Sequence, residues 1–177
     1  MSGRPRRFTA RLPALAAALW VASLWAAAEG GPWLFATEGR PQGTAFYALS
    51  QSTGELRYQL DGGPDIGRWI PFGKRLSAAT NGPLGFAVLP REDGRAFFAV
   101  DLAHGQVHYL LDYGPQPGVW NAYGPPADGP GPYQFRAEKR RGGTAFFLMD
   151  ARTGQISFMV DYGPEAGRWK PFGSKLP

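Results

Sequence analysis

The chain has 177 residues, no cysteine and only two histidines. It is long enough for one domain with a proper core, and without cysteine it has no disulfides, thiolate chemistry or cysteine-held metal. The formal charge of +5 suggests a polyanion partner until its distribution is followed along the chain.

Arg4, Arg6, Arg7 and Arg11 form a basic N-terminal region, followed by an apolar run from Leu12 to Ala27 interrupted only by Ser23. Ala26-Ala27-Ala28 then matches a small-residue cleavage site, so residues 1–28 are predicted to be a signal peptide. The run is short for a membrane-spanning helix, although the bulky Trp20 and Trp25 leave an uncleaved N-terminal membrane anchor as the alternative. Either way the chain is expected to be exported, to a periplasm or outside the cell. Without these four arginines, residues 29–177 carry 15 Lys+Arg against 14 Asp+Glu. No nucleic-acid partner is expected, because the one basic cluster, Lys139-Arg140-Arg141, reads as a solvated hairpin turn.

Residues 29–177 form a single all-β domain of three tandem repeats, 31–81, 82–130 and 131–177. The copies align without gaps from Gly31 to Gly73, Gly82 to Gly124 and Gly131 to Gly173, and the first and third agree at about 20 of 43 positions. The 25 glycines and 17 prolines fall between apolar runs as turn punctuation.

Each unit predicts four strands. The first is short, around Trp33 to Thr37 in copy one. The second, Thr144 to Asp150 in copy three, is apolar on both faces and belongs inside a sheet. The third alternates, with Leu56, Tyr58 and Leu60 on one side and Arg57, Gln59 and Asp61 on the other. The fourth, Arg68 to Phe72, contains Pro71 and so reads as an edge. Between strands two and three, Asp101 and Asp150 (Ser50 in copy one) are expected to accept backbone N–H bonds, and Gly54, Gly105 and Gly154 to supply a positive φ. A calcium role for these acids is disfavoured, since copy one lacks the carboxylate.

The segment Ala145 to Gln155 resembles the hairpin of quinoprotein-type β-propeller blades. Copy one, with its Gly67-Arg68-Trp69, resembles a tachylectin-like blade. The likeness implies a meandering four-stranded unit and carries over no catalytic or ligand residue. Three units fall below the roughly four to eight blades that usually close a ring. A closed three-fold arrangement of the β-trefoil kind is therefore the first expectation; three propeller-like blades, able to pair into a six-blade ring from two chains, are the alternative.

Chemistry finds little material. His104 and His108 are placed in a turn and a strand, which argues against a metal pair, and no hydrolase elbow or phosphate loop occurs. No cofactor is expected. Asp61, Asp112 and Asp161 each precede a turn and read as structural caps. Trp69, Trp120 and Trp169 read as core, with stacking on sugar rings as the functional alternative. On the outer face of strand three the copies diverge: Arg57 and Gln59, then His108 and Leu110, then Ser157 and Met159. This trend toward apolar residues marks His108, Leu110 and Met159 as candidate partner contacts. The expected function is a non-catalytic binding or structural module docking onto a protein or envelope component, with a lectin-like carbohydrate binder as the alternative and an enzyme as the third reading.

Overall fold

The computed structural model describes residues 33–77, 82–129 and 131–175, so the expected signal segment lies outside the described residues. Twelve strands follow one another: β1 (Trp33–Arg40), β2 (Gly43–Ser50), β3 (Leu56–Leu60), β4 (Ile70–Phe72), β5 (Leu84–Pro90), β6 (Arg95–Asp101), β7 (Val107–Leu111), β8 (Asn121–Tyr123), β9 (Tyr133–Arg140), β10 (Gly143–Asp150), β11 (Ile156–Val160) and β12 (Lys170–Phe172). They form three separate four-stranded sheets, each an antiparallel meander of one repeat. The protein is all-β and its repeats are structural units.

Local chemistry explains each meander. Gly54, Gly105 and Gly154 have φ of 65°, 69° and 65°, in the left-handed region where a side chain is costly. Their turns are held by Ser50 Oγ on Thr53 N–H, by Asp101 Oδ1 on Ala103 N–H and by Asp150 Oδ1 on Arg152 N–H. The bond from Arg152 N–H holds the Asp150 carboxyl below its ordinary range. The first strands are longer than the sequence suggested: β1 stays paired to its last residue, Arg40 opposite Gly43. Polar residues at Thr37 to Arg40 hide that pairing from a hydrophobicity pattern. The fourth strands have three residues each; in β4 and β12 the central residue is Pro71 or Pro171, which has no N–H with which to extend a ladder.

No ladder joins one sheet to the next among the described residues. Barrel closure by strand pairing between repeats, which a trefoil requires, is therefore absent there. The sheets instead meet face to face, because their central strands are apolar on both sides. For reference, the leading face of a sheet is the one turned toward the next repeat and the trailing face the one turned back. One core joins Tyr47, Leu49 and Leu56 on the leading face of the first sheet to Phe97, Ala99 and Leu110 on the trailing face of the second. The other joins Phe98, Val100 and Val107 of the second sheet to Phe146, Leu148 and Met159 of the third. The first strands run nearest one another, β1 beside β5 and β5 beside β9, with no comparable contact between β9 and β1.

Candidate functional site

The residues expected to face a partner do not do so. Leu110 and Met159 are 0% exposed, each in the core between its own sheet and the preceding one. His108, opposite Ala99 on the same trailing face as Leu110, is half-buried. Burial lowers the pKa of its imidazole below the ordinary value, opposed by the charge of Asp101. The apolar trend along the copies is real, but its cause is the neighbouring sheet. Copies two and three have a sheet behind strand three, and copy one has none among the described residues.

The tryptophans divide in the same way. Trp120 packs against the first core and Trp169 against the second. Trp169 Nε1 donates to Pro125 O at 3.2 Å, whereas Trp120 Nε1 is buried without a partner. Trp69 stays 42% exposed. Three equivalent stacking platforms are therefore not what the fold presents.

The repeated acids are structural, though not as local caps of the following turn. Oδ1 of Asp61, Asp112 and Asp161 accepts the backbone N–H of Thr44, Arg95 and Thr144, each at 2.6 Å. The bond spans 17 residues and ties the end of strand three to the start of strand two. A Cβ on Gly43 would collide with the Asp61 carboxylate, which accounts for glycine at that place.

Two arginines that motif reading missed cross the sheet junctions. Arg95 of β6 pairs with Glu38 of β1 and, at 3.0 Å, with its own Asp112. Tyr47 Oη also donates to Glu38 at 3.1 Å, and burial pushes the Tyr47 phenol upward. At the second junction Arg91 pairs with Asp161 and donates to Thr144 Oγ1 at 2.5 Å. The signal available in the sequence was the departure of copy two from its neighbours, Arg95 standing where the other copies have Thr44 and Thr144.

A cavity of about 190 Å³ lies between the second and third sheets, lined by Arg91, Phe98, Tyr109, Tyr113, Tyr123 and Asp161 among others. Both oxygens of its one carboxylate are engaged, by Thr144 N–H and by Arg91. Its lining includes three tyrosines and no histidine. No cluster of three or more potential metal-ligating side chains occurs among the described residues.

Among the described residues, the two outer faces of the stack have no sheet against them. Register places Trp33, Phe35, Phe46 and Ala48 on the trailing face of the first sheet. It places Phe147, Met149, Ile156, Phe158 and Phe172 on the leading face of the third. Trp33 is 44% exposed, Phe35 54% and Phe172 57%. Among the described residues, the only large apolar side chain so exposed away from these faces and Trp69 is Ile66. Arg57 lies over the Trp33 ring at 5.7 Å and Arg140 over Phe147 at 6.0 Å. No family model, curated protein or solved structure matches the chain.

Proposed function

We infer that this chain is an exported, non-catalytic binding or structural module that docks onto a protein partner through the two ends of its sheet stack. The observation that carries this reading is the location of its exposed aromatic residues. Trp33, Phe35 and Phe172 sit on sheet faces of the kind that are sealed elsewhere in the same molecule. Exposed apolar residues gathered on a face mark contact surfaces. The docking surface thus moves from Leu110 and Met159, which are core, to the outer faces. The export part rests on the sequence of residues 1–28 alone.

The carbohydrate reading called on up to three equivalent aromatic sites, and two of the three tryptophans are packed into junctions. An enzyme is expected to hold one deep pocket with an Asp or His found in a single copy, whereas the carboxylate of the cavity, Asp161, recurs as Asp61 and Asp112 and accepts the same backbone bond in each.

The test is affinity purification of the tagged full chain from its own cells in mild detergent, beside a Trp33→Lys/Phe172→Lys variant. A protein recovered in stoichiometric amount with the wild type and lost with the variant supports docking through the end faces. Recovery of the wild type as a single chain with nothing bound overturns it.

A further inference from the structure

We propose that two copies of this chain close head to tail into a ring of six sheets. The leading face of each third sheet is seated on the trailing face of the other chain's first sheet. The proposal rests on the docking reading above and names its partner.

Both junctions inside the chain follow one plan. In the first, Phe97 stands edge-on to Tyr47 with centroids 5.1 Å apart, and Phe72 lies 5.5 Å from it. In the second, Phe146 stands edge-on to Phe98 at 4.9 Å, and Tyr123 lies 6.1 Å from it. At the same repeat positions the third sheet offers Phe147 and Phe172 on its leading face, and the first sheet offers Phe46 on its trailing face. Among the described residues the ring partner of Phe46 is a sheet neighbour, Phe35 at 6.0 Å.

The polar groups match as well. At the second junction Arg91 lies over Phe98 at 6.0 Å and reaches the Thr144–Asp161 pair of the next sheet. Arg140 occupies the equivalent position and lies over Phe147 at the same 6.0 Å. Its ion pair within the chain is the exposed Glu138. Thr44 and Asp61 hold the equivalent acceptor place on the first sheet, with the same 2.6 Å internal bond as Thr144 and Asp161. Among the described residues no arginine reaches Asp61 as Arg95 reaches Asp112 and Arg91 reaches Asp161.

Backbone and tryptophan complete the correspondence. A Cβ on Gly73 would stand 2.6 Å from Gly118 O, and one on Gly124 2.7 Å from Gly167 O, so the sheets touch there through bare backbone. Gly173, next in the series, meets nothing within 4 Å. Of the three repeated tryptophans, Trp69 has no preceding sheet to pack against among the described residues, as Trp120 and Trp169 have.

Ring size follows from counting. Closed rings of such sheets hold roughly four to eight members, and with three sheets per chain six is the multiple of three in that range. Two such chains are related by a two-fold axis and make two identical junctions. At the chain-to-chain junction Gln59 stands where the second and third sheets carry the fully buried Leu110 and Met159, so this junction is more polar than the two inside the chain.

The test is native mass of the full chain recovered in mild detergent, beside Arg140→Asp, the neighbouring control Arg141→Asp, and Phe172→Ser, with circular dichroism checking that each is folded. The proposal expects the mass of two chains for wild type and Arg141→Asp, and of one chain for Arg140→Asp and Phe172→Ser. A one-chain wild type, a two-chain Arg140→Asp, or an open series of larger masses overturns the ring. If the wild type is a single chain yet captures another protein through Phe172, the second copy is overturned and the docking reading stands. A single chain that captures nothing overturns both.

Discussion

The third strands of the first and second sheets are the same element in two settings. In β3 the trailing side carries Arg57 and Gln59, half-buried with no sheet behind them among the described residues. In β7 it carries His108 and Leu110, against the first sheet, and Leu110 is fully buried. The strand, its register and its turn are alike; only the presence of a neighbour differs. A repeat position therefore has no burial of its own, because the adjoining copy determines whether it is surface or core.

The strongest way to break that comparison is to truncate matched positions. Leu110→Ala should destabilise by about 2–5 kcal/mol, the usual range for emptying a closed core site. Gln59→Ala should change stability by no more than about 0.5 kcal/mol. Urea unfolding monitored by tryptophan fluorescence, at a concentration low enough to hold the chain single, checks both, and equal effects there would mean that the trailing face of the first sheet is covered within the single chain.

The arginines sharpen the contrast next. Arg91→Leu leaves Asp161 and Thr144 without their cross-sheet donor in a half-buried site, at an expected cost of about 1–3 kcal/mol. Arg140→Leu, at the matching but open position, should leave the stability of a single chain unchanged within about 0.5 kcal/mol. Thermal melts at a concentration low enough to hold the chain single separate the two.

A smaller effect distinguishes the two cores. Trp169→Phe and Trp120→Phe remove similar volume, but only the first loses a hydrogen bond, the one to Pro125 O. Trp169→Phe should therefore cost more, by about 0.5–1.5 kcal/mol. Chemical denaturation of the two variants side by side gives the difference.

The smallest effect is a pH dependence. Burial lowers the His108 pKa below its ordinary value of 6.5, so the unfolded chain takes up a proton more readily than the folded one. His108 is compatible with full stability above about pH 6.5; stability falls as the pH drops through that value and levels off below the folded pKa. The opposing charge of Asp101 keeps the effect small. Melting temperature between pH 7.5 and 5 should fall less in His108→Gln than in the wild type, and identical slopes would assign the dependence to other groups.

Much of the fold was legible before any coordinates. The core-facing set of β3 (Leu56, Tyr58 and Leu60), the Gly154 turn and the backbone bonds of Asp150 all follow from chemistry within a few residues. The ends of β1 and β9 were not legible, because pairing with the next strand, and not hydrophobicity, keeps Glu38 to Arg40 extended. The acids were read correctly as structural and wrongly as local, since Asp61 reaches Thr44 across a turn and two strands. At the site, comparing the copies found the informative face, but the meaning assigned to Leu110 and Met159 was inverted. Apolar residues facing away from their own strand neighbours look the same in sequence whether a partner protein or the preceding repeat covers them.

By itself, then, the amino-acid pattern determined the all-β class, the three units, their strand order and their turns, because each depends on hydrogen bonds and side-chain alternation within one repeat of about fifty residues. Only the tertiary structure decided that the units stack face to face, that Arg91 and Arg95 bridge them, and that, among the described residues, no sheet lies against the outer faces of the first and third sheets. Those outcomes depend on which apolar face of one copy lies against which face of the next, and copies that share nearly the same pattern do not encode that choice in any single stretch of sequence.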